Sequence, residues 1–455
     1  MNKKIVLIGA GSAQFGLGTL GDIFTSTILK GSEITLLDIN GEALKKVDET
    51  AQAFISKENL DFTVTSTTRR KEALKGADFI IISIEVGDRF KLWDEDWKTP
   101  LQYGISQVYG ENGGAGGVFH ALRIIPPILE ICGDAVEICP EAHIFCYSNP
   151  MTAITTTVHR AYPGIRFTGL CHEIASLERY LPAILDMPFE DMDLTSGGLN
   201  HFSCLLKAKD RNTGRDLYPE IMEKAPVFFE SEPGYSDMLD YYNRTGEMIH
   251  TEGATGRHDL GIERSAYSWA DRKLFQFIME TYGLLPITGD SHFGEYLSWA
   301  WEVADHRGIL DFYDFYKLML GEMADPEIHL EVKERIVAIM EGISTDSGAL
   351  EAAVNVPNDG LIADLPSWIA VEVPGTVHAD GVKGNVLGEL PKGFSALLRN
   401  YTGTYDLTAE AILTGRKDYV VQALLANPVV NKALPLKDLT DRMISQQGKW
   451  LSYLK

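Results

Sequence analysis

Cys171 and His201 are the pair in this chain whose types could bind a transition-metal ion. Cys171 lies in Gly169-Leu170-Cys171-His172-Glu173, and His201 closes Gly197-Gly198-Leu199-Asn200-His201. A thiolate and an imidazole suit a borderline metal, and two protein ligands leave positions open for substrate oxygens. Each residue also has a plainer reading. A single cysteine is more often an inert buried thiol, and a single histidine more often a hydrogen-bonded core residue. No C-x-x-C or H-E-x-x-H spacing is present, so spacing alone does not establish a metal site.

Two other segments carry polar groups on unusual backbone. Tyr109-Gly110-Glu111-Asn112-Gly113-Gly114-Ala115-Gly116-Gly117 has glycines enough to wrap a ligand, with Glu111 placed to touch it. A flexible surface loop would read the same way. Ser148-Asn149-Pro150 follows an apolar run, and the C-terminal ends of such strands bind ligands in open α/β sheets. Asn149 offers a donor and an acceptor to a sugar hydroxyl or a ribose, although Asn-Pro is also a common turn pair.

The N-terminus positions these groups. Residues 4–8 form a β-branched run followed by Gly9-Ala10-Gly11-Ser12, then a helical pattern through Leu17, Leu20 and Ile23. This strand, glycine turn and helix order lets a pyrophosphate sit on helix N–H groups. Gln14 stands where G-x-G-x-x-G has its third glycine, followed by Phe15 and Gly16. A second strand, residues 33–37, ends at Asp38, an acid that can accept bonds from both ribose hydroxyls and so favours NAD. Gly9, Gly11, Ser12, Phe15 and Asp38 are the candidate cofactor residues.

Further apolar runs at 79–84 and 142–147 alternate with helical segments, the pattern of a doubly wound parallel sheet. The expected fold is α/β. Residues 1–195 form a Rossmann-like NAD-binding domain of lactate/malate dehydrogenase type, and residues 196–455 a C-terminal α+β domain covering the substrate crevice. In that second part, 267–284, 309–323, 408–425 and 436–454 read as helices and 364–373 as a strand bounded by prolines.

Composition bounds the rest. The 455 residues are 45% hydrophobic and 23% charged, a globular balance, and the formal charge of -23 argues against a nucleic-acid partner. No uninterrupted apolar stretch approaches the ~20 residues of a membrane helix. Five widely spaced cysteines suit a reducing cytoplasm better than a disulfide framework.

Taken in order, these segments resemble glycoside hydrolase family 4, the NAD-dependent glycosidases, which depart from the two-carboxylate scheme. The resemblance covers Gly9-Ala10-Gly11-Ser12, Leu20-Gly21-Asp22-Ile23, Glu111 to Gly117, Asn149-Pro150, Cys171-His172-Glu173-Ile174, Gly198-Leu199-Asn200-His201, Leu285-Pro286-Ile287-Thr288-Gly289-Asp290 and Val371-Glu372-Val373-Pro374. It implies a hydrolase in which NAD+ takes a hydride from sugar C3, the ketone acidifies C2–H, a base removes that proton, and C1 undergoes elimination and addition of water. It also implies Cys171 and His201 as ligands of Mn2+, completed by sugar oxygens. Asn149 would bind substrate. Asp290 would be the C2 base, His172 a substrate-binding group or leaving-group acid, and Glu111 would count with the catalytic residues. Outside the family context Thr-Gly-Asp at 288–290 reads as the cap of a helix carrying Phe293, Tyr296 and Trp299. Family members form homodimers or homotetramers, so self-association is implied too.

For the sugar, Cys171-His172-Glu173-Ile174 looks most like the Cys-His-Glu-Val of the α-galacturonidase branch, and α-galacturonides are the expected substrates. Glu173 would repel a galacturonate carboxylate unless a cation intervenes. Arg89 and Arg123 are candidate partners for it, and both read equally well as structural ion pairs. An α-galactosidase, α-glucosidase or sulfoquinovosidase of the same family is the alternative, the neutral sugars following if no cation lies near C6. A lactate- or malate-type dehydrogenase shares the dinucleotide fold but needs a His–Asp relay and no metal. The pairing of Cys171 with His201 counts against it.

Overall fold

The computed structural model describes residues 2–248, 262, 264–322, 327–332 and 334–455. Their strands are β1 (Lys4–Ile8), β2 (Glu33–Leu37), β3 (Thr63–Thr67), β4 (Phe79–Ile82), β5 (His143–Cys146), β6 (Phe167–Gly169), β7 (Met192–Leu199), β8 (Phe202–Asp210), β9 (Leu285–Pro286), β10 (Leu350–Pro357), β11 (Ala370–His378) and β12 (Gly381–Gly384). Side by side they run β3-β2-β1-β4-β5-β6-β10-β11-β7-β8-β9, with β12 on β11. The first six are parallel in the order 3-2-1-4-5-6, the Rossmann arrangement. From β6 onward every pairing is antiparallel. The α/β class and the Rossmann-like sheet are as the sequence implied. Residue 195 falls inside β7, and one hydrophobic core runs from Ile5 to Leu454.

Local chemistry explains where the elements depart from expectation. β3 is Thr-Val-Thr-Ser-Thr at the sheet edge with Val64 alone buried, so no apolar pattern announces it. The helix expected over 267–284 is Lys273–Tyr282, because Trp269 and Asp271 take left-handed φ of 54° and 59° just before it. The stretch 408–425 is two helices, Lys392–Thr414 and Lys417–Ala426, parted by Gly415 at φ 69°. Residues 436–454 likewise divide into Leu436–Gln446 and Gly448–Leu451. Pro374 does not bound a strand. It lies within β11, at the irregularity where β10 shifts register between Glu351 and Val354, a place where a missing N–H is tolerated.

Among the described residues one helix, Gly114–Ile138, is long and apolar enough to cross a membrane, and most of it is buried inside the protein. Its Arg123 is fastened at both ends of the guanidinium. Nη2 donates to Asp96 Oδ2 at 2.6 Å and Nη1 to Asp96 Oδ1 at 3.2 Å and Gln447 Oε1 at 2.6 Å. Gln447 Nε2 returns a 2.8 Å bond to Asp96. Arg123 is thus a structural clamp between this helix, the helix Arg89–Gln102 and the C-terminal segment, which answers its candidacy as a carboxylate partner. Replacing it by Met takes the cation away from the buried Asp96, leaving Gln447 as its side-chain partner, and should cost about 3–5 kcal/mol in a urea unfolding series. The KM of the folded fraction should not move. A raised KM at unchanged stability would return Arg123 to the substrate.

Candidate active site

Because β1, β4, β5 and β6 are parallel, their C-terminal ends open on one side of the sheet. They deliver Gly9, Glu85, Asn149 and Cys171 there in turn. Gly9 sits at φ 91°, and a Cβ on it would lie 2.0 Å from Ser83 O. A Cβ on Gly11 would meet the Asp38 carboxyl at 2.7 Å. Gly11 N instead donates to Asp38 Oδ2 at 2.8 Å, and Asn40 N to Oδ1 at 2.8 Å. Ser12 caps the helix Ala13–Thr25 through Phe15 N, and Phe15 packs on Tyr147 with ring centroids 5.9 Å apart. The close helix–strand approach expected of a third glycine is supplied by Gly16, whose Cβ would lie 2.3 Å from Ala10 O. A turn stripped of side chains at a helix N-terminus, with an acid beside it, fits a dinucleotide.

Beyond this turn a cavity of about 420 Å3 is lined by Arg89, Glu111, Asn149, Cys171, His172, Glu173, His201 and Asp290. The substrate and metal residues chosen from sequence are therefore gathered in one place. Cys171 follows β6, while His201 is the second residue of the two-residue turn joining β7 to β8, paired through Leu199 and Phe202. Its φ of 60° is left-handed, which costs a non-glycine residue roughly 1–2 kcal/mol. The strain is held by neighbours of the turn. Glu372 accepts from Asn200 Nδ2 at 2.7 Å, Ser203 Oγ at 2.8 Å and Asn355 Nδ2 at 3.3 Å. Tyr296 donates to Asn200 O at 3.1 Å and Thr288 to His201 O at 3.0 Å.

Cys171 Sγ lies 3.5 Å from His201 Nε2. Burial drives the imidazole's pKa well below its ordinary value, helped by His292 and His172, so the ring is neutral. Burial also pushes the Cys171 thiol well up, with Glu173 and Glu372 adding to the effect. A neutral imidazole beside a half-buried thiol that a cation would convert to thiolate is a donor set that fits a divalent transition metal.

Glu111 stands at the other side of this pair. Its backbone N–H donates to the Glu295 carboxylate, as does Asn112 N at 3.0 Å, and burial raises the Glu295 pKa. The Glu111 side chain meets Asn149 Nδ2 at 3.5 Å, Arg89 Nη2 at 3.7 Å and His292 Nε2 at 3.6 Å. The Asn149–Pro150 bond is cis. Arg89 is sandwiched between Trp93 and Tyr316, each 5.2 Å away, donates to Tyr316 Oη at 2.8 Å and faces Glu85 at 3.6 Å. His172 is 71% exposed at the mouth, 4.0 Å from Glu173.

Asp290 lines the cavity, but its carboxylate is directed into backbone. It accepts from Leu274 N and Phe275 N at 3.0 Å each and from Asp305 N at 2.7 Å. It therefore caps the helix Lys273–Tyr282, not the turn that it begins, which is a short helix Asp290–Phe293 followed by a 3-10 turn Gly294–Tyr296. Burial pushes its pKa up to about 7 against these three donors. Sequence reasoning missed His292, Asn112 and Glu295. His292 lies two residues past Asp290, close enough to have been noticed. The other two act through long-range contacts that no local spacing shows.

Asp290→Asn separates the two roles of that residue. An amide keeps the shape but leaves at least one backbone N–H unmet, so as a cap it should cost about 1–3 kcal/mol of stability by thermal melting. As a base alone, the variant would keep the wild-type melting temperature and lose turnover.

Comparison with known proteins agrees with this geometry. Residues 4–187 match the family described as Family 4 glycosyl hydrolase, and residues 196–430 match its C-terminal domain. The Alpha-glucosidase of Erwinia rhapontici is 58% identical over 455 residues, all of both chains. The Alpha-galacturonidase of Bacillus subtilis (strain 168) is 29% identical over 94% of this chain and 93% of its own. A 6-phospho-alpha-glucosidase from gut microorganisms, solved in complex with NAD and Mn2+, superposes with a TM-score of 0.78 at 22% identity, covering 99% of each chain, and so shares the fold. The glycine turn with Asp38, the Cys171–His201 pair and both family matches lead to one assignment: the chain belongs to family 4 of the glycosyl hydrolases.

Proposed function

We propose that this chain is an NAD- and divalent-metal-dependent α-glycosidase acting on a neutral α-glucoside. The observation that carries the reading is the 3.5 Å approach of Cys171 Sγ to His201 Nε2 in the same cavity as Glu111 and Asn149. Identity of 58% over the full length to an Alpha-glucosidase supports the choice of sugar. When bound, NAD supplies a reversible hydride acceptor and the cation a Lewis acid for the sugar oxygens.

The chain's own groups do the rest. Gly9, Gly11 and Ser12 present backbone to the pyrophosphate, and Asp38 faces the ribose. Cys171 and His201 hold the cation. Asn149 presents its amide to a sugar hydroxyl while Nδ2 stays within 3.5 Å of Glu111. His172, exposed at the mouth, is placed for the leaving group and Glu173 for the sugar rim. Asp290 is a proposed C2 base, but its three backbone bonds favour the other role, holding Ser291 and His292 against the cavity. Five free cysteines suit a reducing compartment, and self-association in dimers or tetramers is part of the same proposal.

The galacturonide expectation meets a geometric difficulty. Arg123 is a structural clamp, and Arg89 is already matched by Tyr316, Glu85 and Glu111. A second reading keeps α-galacturonides through Arg179, which lines the cavity with Nε and Nη2 buried and without a hydrogen-bond partner. A guanidinium so placed can take a carboxylate.

With NAD+, Mn2+ and a thiol reductant, p-nitrophenyl α-glucoside should release nitrophenol faster than the α-galactoside or α-galacturonide, with no net NADH. Cys171→Ser should lower that rate roughly 100-fold or more while leaving NAD binding and the melting temperature near wild type. Faster galacturonide hydrolysis, abolished by Arg179→Ala, would select the second reading. Steady NADH from a 2-hydroxy acid would replace both with a dehydrogenase.

A further inference from the structure

We infer that the cation's protein shell extends beyond Cys171 and His201, with His292 Nε2 as a third ligand and Glu111 Oε2 as a fourth. The inference rests on the metal reading of this site.

Spacing is the first argument. Cys171 Sγ and His201 Nε2 are 3.5 Å apart, and His292 Nε2 and Glu111 Oε2 are 3.6 Å apart. The second distance is too long for a good N–H···O bond, which falls at about 2.7–3.2 Å. Ligands of one ion with bonds of about 2.0–2.3 Å, however, stand about 3–4 Å apart when adjacent and up to about 4.5 Å when opposed. Donor atoms of Glu111, His201 and His292 all lie within 4.8 Å of one another, and the two imidazole centroids are 4.5 Å apart. Cys171 stands outside this group of three and reaches it through His201 Nε2, so its thiolate would close in on the ion from that side.

The second argument is what the remaining atoms do. His292 Nδ1 is bonded to Ser291 Oγ at 2.7 Å, and His201 Nδ1 to the Asn112 side-chain amide at 2.9 Å. Metal-ligating histidines are oriented through their other nitrogen in this way. With the Asn112 amide turned so that its oxygen faces the ring, His201 Nδ1 carries the proton and Nε2 keeps its lone pair. On Glu111 the labour is divided by atom: Oε1 faces Asn149 and Arg89, leaving Oε2 to the histidine side. Four protein donors would hold an ion before any sugar arrives. A six-coordinate ion would still keep two positions for neighbouring sugar oxygens.

Titration of the purified apo-chain with Mn2+ and Co2+, without sugar, tests this. Wild type should bind Mn2+ by calorimetry, and its Co2+ form should show thiolate-to-metal charge transfer together with ligand-field bands. His292→Ala, or His292→Gln should alanine disturb folding, should weaken Mn2+ binding about 10-fold or more and shift the ligand-field bands while keeping the charge-transfer band. Cys171→Ser should remove the charge-transfer band. Wild-type affinity and an unchanged spectrum in the His292 variants would overturn the extended shell and leave a His292–Glu111 ion pair. No charge-transfer band in the wild type would instead remove the cysteine-based site itself.

Discussion

The site depends on a row of paired residues at the place where the sheet changes from parallel to antiparallel. Gly169 of β6 pairs with Asn355 of β10, Asn355 with Glu372 of β11, Glu372 with Gly198 of β7, and Gly198 with Ser203 of β8. The row runs from the strand that delivers Cys171 to the turn that delivers His201. At its centre one buried carboxylate binds Asn200, Ser203 and Asn355 at once. Burial raises the pKa of Glu372, and these side-chain donors pull it back. A carboxylate with so many bonds fixes the relative placement of two halves of the chain that are distant in sequence.

Buried acids recur as backbone receivers around this cavity. Glu295 gathers the N–H groups of Glu111 and Asn112, and Asp290 those of Leu274, Phe275 and Asp305. Such carboxylates make irregular segments rigid without a regular hydrogen-bond ladder, which residues 109–113, just before the helix Gly114–Ile138 that takes up the rest of the glycine-rich segment, and the turn before the helix Lys273–Tyr282 both lack. Glu111 and Glu173 share the cavity wall with the guanidinium groups of Arg89 and Arg179, so acids and bases alternate around the space left for the substrate.

Much of this was legible in the residues. β1, β2 and the helices around them follow from apolar runs, and Asp38 was placed beside the glycine turn by motif spacing. Cys171 and His201 could be named because their types are chemically distinctive. What could not be read depends on distance in space. Asp290 appeared as the start of a helix, yet it serves the helix before it. Arg89 and Arg123 looked like candidates for a substrate anion until their aromatic and acidic neighbours were in view. β3 escaped because an edge strand of threonines buries almost nothing, and Gly16 escaped because close packing, not the usual spacing, decides which glycine is needed.

The left-handed backbone at His201 sets a limit on improving this scaffold. Glycine or asparagine would sit there with less torsional conflict, so an optimiser rewarded only for heat resistance would be drawn to the position. Each such gain would be taken from the cation grip. Position 201 is one where robustness and chemistry draw on the same torsion angle, and a stabilised variant should be built around it.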